Sequence, residues 1–284
     1  MRFALVLSGG GTSGVAWQIG LLKGLQQSGV DLTVPDLFVG TSAGAIVAAQ
    51  LATARLLDDL YAEQLRPADA QKPRDVESLM RVMGQLRRRW QSPPTAGMSQ
   101  EMLAELGAEA LRADTESEAS RLATITSYLA GETRWPERRL LITAIDTADG
   151  SFVVWDEDSG ATLTEAVASS CAAAMVAPPI TVKGRRYMDA GPRSGTSAQL
   201  AAGCEFVIIL AVSPGPLGPL DDEIEELRGS GSRVELVLPD ANSLAAIFPN
   251  PLDLANRSRS ASAGHAQARA LDAAVRQRLA DAIL

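Results

Sequence analysis

Histidine is almost absent from this chain of 284 residues, since His265 is the single one. Cysteine occurs twice, at Cys171 and Cys204, and neither lies in a spacing typical of metal sites. Both cysteines stand in apolar, alanine-rich surroundings. The sequence therefore predicts two buried free thiols, no metal and no cofactor, and it offers only one histidine as a possible catalytic base.

The chain also lacks an excess of basic residues and any long apolar run. Lys and Arg total 26 against 34 Asp and Glu, a net charge of −8. Nucleic-acid binding needs a basic face that displaces counterions, so no nucleic-acid partner is expected. No apolar stretch reaches the roughly 20 residues of a transmembrane helix. The short apolar run after Met1 meets glycines at once, unlike a signal peptide, and we expect a cytoplasmic protein.

Alternating strand and helix patterns open the chain. The apolar run over residues 3–8 predicts a buried strand, and helical spacing of apolar residues over 15–27 predicts the next helix. Residues 37–39 predict a second strand, and the almost wholly apolar segment 43–54 predicts a buried helix. This order indicates an α/β fold with a mainly parallel sheet.

The remaining two hundred or so residues add helices and further strands. Segment 56–130 is helical and more charged, and we interpret it as a helical insertion or cap. A long C-terminal helix is predicted over 252–284. Further strands are predicted over 139–145, 151–155, 180–188, 205–212 and 234–238. Together these predict a single three-layer α/β/α domain over residues 1–284.

A candidate nucleophile stands between the second strand and its helix. Residues 40–44 read Gly-Thr-Ser-Ala-Gly, the G-x-S-x-G pattern of a nucleophile elbow. Such a turn exposes the serine hydroxyl and leaves no room for side chains at Gly40 and Gly44. The alternative is a tight turn in which Ser42 only caps the helix. The strand and helix on either side favour the nucleophile.

A second glycine cluster, residues 9–14, follows the first strand. The ends of parallel strands lie on one edge of a sheet, so the glycine cluster and Ser42 are expected to face one another. The backbone N–H groups of the cluster are then expected to bind an oxyanion. The cluster also matches G-x-G-x-x-G, the pattern of a dinucleotide site. That site needs an acidic residue at the end of the second strand, whereas Asp36 stands at its beginning. The dinucleotide interpretation is therefore disfavoured.

Two residues are candidates for the base that activates Ser42. His265 would satisfy the Ser–Asp–His chain order, but it stands in a polar helical segment far from any predicted strand end. Asp189 follows a predicted β-ribbon and lies two residues before Gly191. A histidine-based esterase and a carboxylate-based enzyme are both open at this point.

The glycine cluster, the elbow and Asp189-Ala190-Gly191 occur in an order that resembles the patatin-like phospholipase family. The resemblance extends through 166–179 and 184–188, about the first two hundred residues. It implies a Ser42–Asp189 dyad that cleaves lipid acyl esters through an acyl-serine intermediate. It also implies a lipid or phospholipid substrate, transient contact with a membrane surface, and an oxyanion hole of backbone amides at Gly9, Gly10, Gly11 and Thr12.

The chain departs from the family pattern at two positions. Ser13 stands where the family usually has Arg or Lys, and Ala190 stands where it usually has Gly. If position 190 needed a positive φ, alanine would cost about 1–2 kcal/mol there. A non-catalytic relative that binds a lipid or a partner is therefore a further alternative. The run Arg87-Arg88-Arg89-Trp90 either contacts lipid headgroups or simply ends a helix with cations.

Overall fold

The computed structural model describes residues 2–67, 77–92, 96–212 and 219–283. In these residues eight strands form one sheet, with the spatial order β5-β6-β3-β2-β1-β7-β8 and β4 paired to β3. The strands are β1 (Phe3–Leu7), β2 (Leu37–Gly40), β3 (Leu140–Asp146), β4 (Phe152–Trp155), β5 (Ile180–Val182), β6 (Arg185–Asp189), β7 (Phe206–Leu210) and β8 (Arg233–Val237).

The centre of the sheet is parallel and one end is antiparallel. β1 pairs in parallel with β2 and β7, and parallel pairing continues from β2 to β3 and from β7 to β8. β3 pairs antiparallel with β4 and β6, and β5 with β6. Every residue of β1 is buried, because helices cover both faces of the sheet. The predicted three-layer α/β/α class with a mainly parallel sheet is confirmed.

Helices pack on both faces of the sheet. They are α1 (Gly11–Gln27), α2 (Ala43–Ala52), α3 (Leu57–Leu65), α4 (Glu77–Arg89), α5 (Gln100–Arg112), α6 (Glu118–Tyr128), α7 (Leu163–Ser170), α8 (Leu220–Gly229), α9 (Ala241–Ile247), α10 (Arg257–Ala270) and α11 (Ala273–Asp281). The predicted helical segment 56–130 contains α3 to α6, and its residues 68–76 and 93–95 lie outside the described ones. Among the described residues, no helix is both long and apolar enough to span a bilayer.

The predicted long helix over 252–284 is wrong. The structure has a short 3-10 turn at Leu254–Asn256, then α10 and α11, and residue 284 lies outside the described ones. The helices separate at Leu271, whose ψ of 139° is extended. Asp272 then caps α11, because its carboxylate accepts a hydrogen bond from the Ala274 amide at 2.7 Å.

The first helix begins four residues earlier than its apolar periodicity predicts. α1 starts at Gly11, so four of the six residues of the predicted glycine cluster form its first turn. The Ser13 amide and the Thr12 hydroxyl both donate to the Pro251 carbonyl, at 2.9 and 3.2 Å. A segment some 240 residues away in sequence thus accepts hydrogen bonds from the first turn of the helix. The local periodicity of apolar residues does not predict this contact.

Candidate active site

Ser42 occupies a sharp turn between β2 and α2. Its backbone has φ 53° and ψ −117°, a combination that L-residues rarely adopt and that costs about 1–3 kcal/mol. A side chain at Gly44 would place its Cβ 1.8 Å from the Leu7 carbonyl oxygen. At Gly40 a Cβ would lie 2.6 Å from the Cα of Ala45. Close backbone approach therefore requires both glycines of the predicted elbow.

Asp189 is the last residue of β6 and lies opposite Ala144 of β3. The Gly191 amide donates to its Oδ1 at 2.8 Å. The side chain of Ser42 interacts with this carboxylate and lowers its pKa. The structure therefore brings together two residues that are 147 positions apart in sequence.

The environment of Asp189 changes its acidity. The residue is only 7% exposed. Burial raises the pKa of its carboxyl to about 6, while hydrogen bonds from Ser42 and the Gly191 amide and the charge of Arg121 limit the rise. A carboxylate with this pKa is a stronger base than an exposed aspartate and is still mostly ionised at pH 7.

The start of α1 faces Ser42. A Cβ added at Gly9 would lie 3.4 Å from the Cβ of Ser42, so the two turns are in contact. Among the described residues, the amides of Gly10, Gly11 and Thr12 have no hydrogen-bond acceptor. Unpaired amides at a helix N-terminus favour negative charge. This geometry suits an oxyanion.

Gly9 differs from the other predicted oxyanion residues. Its amide donates to the Gly195 carbonyl at 2.9 Å and is not available to a ligand in this structure. The prediction that the Gly9 amide binds the oxyanion is therefore corrected, because this amide already has an acceptor. The contact with Gly195 joins residues 186 positions apart, which sequence reasoning could not anticipate.

The two departures from the family pattern have different surroundings. Ala190 is not one of the described residues that have a positive φ, so alanine causes no backbone strain at this position. Its side chain is fully buried in an apolar cluster with Met188 and Met102. Ser13 is also fully buried, and its hydroxyl has no partner among the described residues.

His265 lies far from Ser42. It belongs to α10, where its ring stacks on Tyr61 and its Nε2 is 2.8 Å from the side chain of Gln27. Gln27 is the last residue of α1, whereas the glycine turn is at the beginning. A helix rises about 1.5 Å per residue, which separates the two ends by about 24 Å. His265 is therefore not placed to activate Ser42.

The cationic segment of α4 is largely engaged with the protein itself. Arg87 donates to the Ala96 carbonyl at 2.8 Å, and Arg89 pairs with Glu105 at 3.2 Å. Trp90, just after the helix, is 44% exposed. These cations occupy the last turn of α4, where they complement its dipole.

Three residues near Ser42 had no predicted role. Ser170 and Cys171 hydrogen-bond to the Ser42 backbone from 128 and 129 positions away. Arg121 of α6 reaches the Cys171 carbonyl. No local pattern marks any of them. Both cysteines are buried thiols outside any disulfide, as predicted. Among the described residues, no group of three or more His, Cys, Asp or Glu is suited to a metal.

One family model matches most of the chain. A family model described as patatin-like phospholipase matches residues 5–202. No curated protein matches the chain. Of the solved structures, VipD from Legionella pneumophila is similar at 13% identity, over 99% of this chain and 66% of VipD, with a TM-score of 0.46. The type III effector protein ExoU is similar at 18% identity, over 95% of this chain and 54% of ExoU, with a TM-score of 0.37. The chain thus spans less than two thirds of either neighbour's length.

Proposed function

Because the chain belongs to the patatin-like phospholipase family, we propose that it hydrolyses the acyl esters of lipids with Ser42 as nucleophile and Asp189 as base. One observation carries the proposal: the hydroxyl of a strained serine interacts with a buried carboxylate whose pKa is raised to about 6. Perturbed acidity beside a nucleophile is typical of catalytic sites.

In the first half of the reaction, Asp189 takes the proton of the Ser42 hydroxyl while the oxygen bonds to the ester carbonyl carbon. The carbonyl oxygen becomes an oxyanion, which the amides of Gly10 and Gly11 bind with the positive end of the α1 dipole. The intermediate collapses, the bond to the leaving alkoxide breaks, and that oxygen receives the proton from Asp189. An alcohol leaves and an acyl-serine remains.

In the second half, Asp189 takes a proton from water, and the resulting hydroxide bonds to the acyl carbon. A second oxyanion forms at the same amides. Its collapse breaks the bond to Ser42, whose oxygen recovers the proton from Asp189. The net change is the addition of one water molecule across the ester, giving an alcohol and a fatty acid. No metal or cofactor takes part in these steps.

An apolar cluster beside the dyad suits a lipid acyl chain. Met83 and Leu86 of α4 and Met102 and Leu106 of α5 pack toward Met188, the residue before Asp189. Methionine side chains adapt to ligands of different shape. We propose a phospholipase A or lysophospholipase type of activity, with the acyl chain lying against this cluster and the headgroup toward solvent. Contact with a membrane surface would be transient.

The proposal is tested with the purified chain, a short-chain nitrophenyl ester and phospholipid in mixed micelles. We expect hydrolysis of both by the wild type, and loss of at least about a thousandfold in kcat for Ser42→Ala and Asp189→Asn. His265→Ala is the control and should keep its activity, because this side chain lies at the far end of α1.

A fluorophosphonate probe gives an independent readout. We expect it to label the wild type at Ser42 and to leave Ser42→Ala unlabelled. Folded wild-type protein that neither reacts with the probe nor hydrolyses either ester would contradict the proposal and favour a non-catalytic lipid-binding relative. Loss of activity in His265→Ala would instead indicate a histidine-based esterase.

A further inference from the structure

Both backbone polar groups of Ser42 are held by the end of α7. The Ser42 amide donates to the Ser170 hydroxyl oxygen at 2.8 Å. The Cys171 thiol donates to the Ser42 carbonyl at 3.1 Å. Ser170 is fully buried and Cys171 is 6% exposed, so water does not compete for these contacts. A backbone in a rarely populated conformation persists only where its surroundings hold it. At Ser42 these two contacts do so together with the Ala45 amide, which donates to the same carbonyl at 2.9 Å.

The next residue of the same segment holds the other half of the dyad. The Asp189 amide donates to the Ala172 carbonyl at 3.0 Å. Three consecutive residues, 170–172, therefore bind the backbone of Ser42 on one side and that of Asp189 on the other.

A buried arginine fixes this segment to the helical cap. Arg121 of α6 is 8% exposed, and its Nη2 donates to the Cys171 carbonyl at 2.7 Å. Its Nη1 lies 3.9 Å from a carboxylate oxygen of Glu116. A charge-assisted hydrogen bond in a dry environment is among the stronger ones in proteins. The carbonyl between the two dyad contacts is thus anchored from outside the sheet.

We propose that Ser170, Cys171 and Ala172 form a positioning bridge that sets the separation of Ser42 and Asp189, with Arg121 as its anchor. This inference rests on the proposed function of the dyad. None of the bridge residues exchanges a proton with the substrate, so they are positioning residues. A displacement of about 1 Å at a reacting group can reduce the rate about a hundredfold.

The chain offers a matched control for Ser170. Ser169 is equally buried in the same helical turn, but its hydroxyl accepts from the Trp155 indole at 3.0 Å and donates to the Ala166 carbonyl. Replacing either serine by alanine removes one buried hydroxyl and strands a donor. General destabilisation is therefore expected to be similar in the two variants, whereas loss of positioning should appear only in Ser170→Ala.

The kinetic experiment compares Ser170→Ala with Ser169→Ala, and Cys171→Ala with Cys171→Ser. We expect Ser170→Ala to lower kcat about 10- to 100-fold with KM changed less than about threefold, and Ser169→Ala to keep kcat within about threefold. Cys171→Ala should lower kcat about tenfold, and Cys171→Ser should recover most of it because the serine hydroxyl retains a donor. Equal kcat losses in the two serine variants, or no recovery by Cys171→Ser, would overturn the bridge.

A structural readout separates this inference from the proposed function. Crystal structures of Ser170→Ala and Cys171→Ala should show Ser42 leaving its positive φ and its hydroxyl moving away from Asp189, while Ser169→Ala should keep both. If the wild type were inactive on every ester but these displacements occurred, the proposed function would fail and the bridge would stand. If the wild type were active and the Ser42 geometry unchanged in both variants, the bridge alone would fail.

Discussion

Neutralising Asp189 should remove activity and yet stabilise the folded protein. The folded pKa of about 6 lies above the ordinary value of 3.8, because burial disfavours the charged form. Above pH 6 the native state must hold a desolvated charge that the unfolded chain exposes to water. Asp189→Asn removes this charge and keeps an oxygen that accepts from the Gly191 amide.

The size of the effect follows from the two pKa values. The difference between the folded and unfolded pKa corresponds to about 3 kcal/mol of unfolding free energy at neutral pH, since each unit of pKa is worth about 1.36 kcal/mol. For a chain of this length that raises Tm by about 5 °C. The added stability of Asp189→Asn over wild type should be full above about pH 7 and should decrease as the pH falls from 6 toward 4. It should vanish below pH 4, where Asp189 is protonated in both the folded and the unfolded state.

Thermal unfolding of wild type and Asp189→Asn between pH 4 and pH 8 measures this difference, and the titration of other carboxylates cancels. Asp146→Asn is the matched control. Asp146 is equally buried on the neighbouring strand β3, but it pairs with Arg185, so its neutralisation should destabilise the protein. An Asp189→Asn variant that is no more stable than wild type at pH 8, or whose added stability is the same at pH 4, would contradict a destabilising charge on Asp189.

Three further predictions concern the same region. The kcat/KM for a soluble ester should rise about tenfold per pH unit below pH 6 and level off above pH 7. Arg121→Gln should move this rise to higher pH, because the Arg121 charge lowers the pKa of Asp189. A profile that is flat from pH 4.5 to 8 would exclude Asp189 as the base. Gly44→Ala should lower the unfolding free energy by about 3 kcal/mol or more in denaturant titrations, because its Cβ would meet the Leu7 carbonyl. Gly229→Ala is the control and should be neutral or slightly stabilising, because a Cβ there would have no atom within 4 Å. Trp90→Ala should lower the fraction of protein that sediments with phosphatidylglycerol vesicles. Val34→Ala is the control and should leave this fraction unchanged, since Val34 is 55% exposed but lies just before β2. Equal vesicle binding by both variants would argue against membrane contact through α4.

Local patterns predicted the features that are themselves local. The elbow around Ser42 was predictable because a strand, two glycines and a helix lie within about twenty residues, and the close approach at Gly44 is the steric reason for that pattern. The end of β6 at Asp189 was predictable from the ribbon before it. In both places the chain needs a particular residue type for a reason that its neighbours reveal.

Contacts between distant segments were not predictable. The Gly9 amide is occupied because Gly195 lies against it, and α1 begins early because the Pro251 carbonyl accepts from its first turn. Ser170 resembles its neighbour Ser169 in type, helix position and burial, and only the folded structure shows which one touches Ser42. Such roles depend on what the sheet brings together and not on the residue's own surroundings in sequence.

The apolar residues on either side of Asp189 connect the unusual alanine to the chemistry. Met188 and Ala190 are both fully buried in the cluster formed with α4 and α5. Burial is the largest cause of the raised Asp189 pKa, and each apolar group packed here removes water from the carboxylate. Since Ala190 adopts no positive φ, its methyl group adds apolar packing without backbone strain. The departure from glycine at this position is therefore compatible with a more basic Asp189, and it gives no physical reason to expect an inactive dyad.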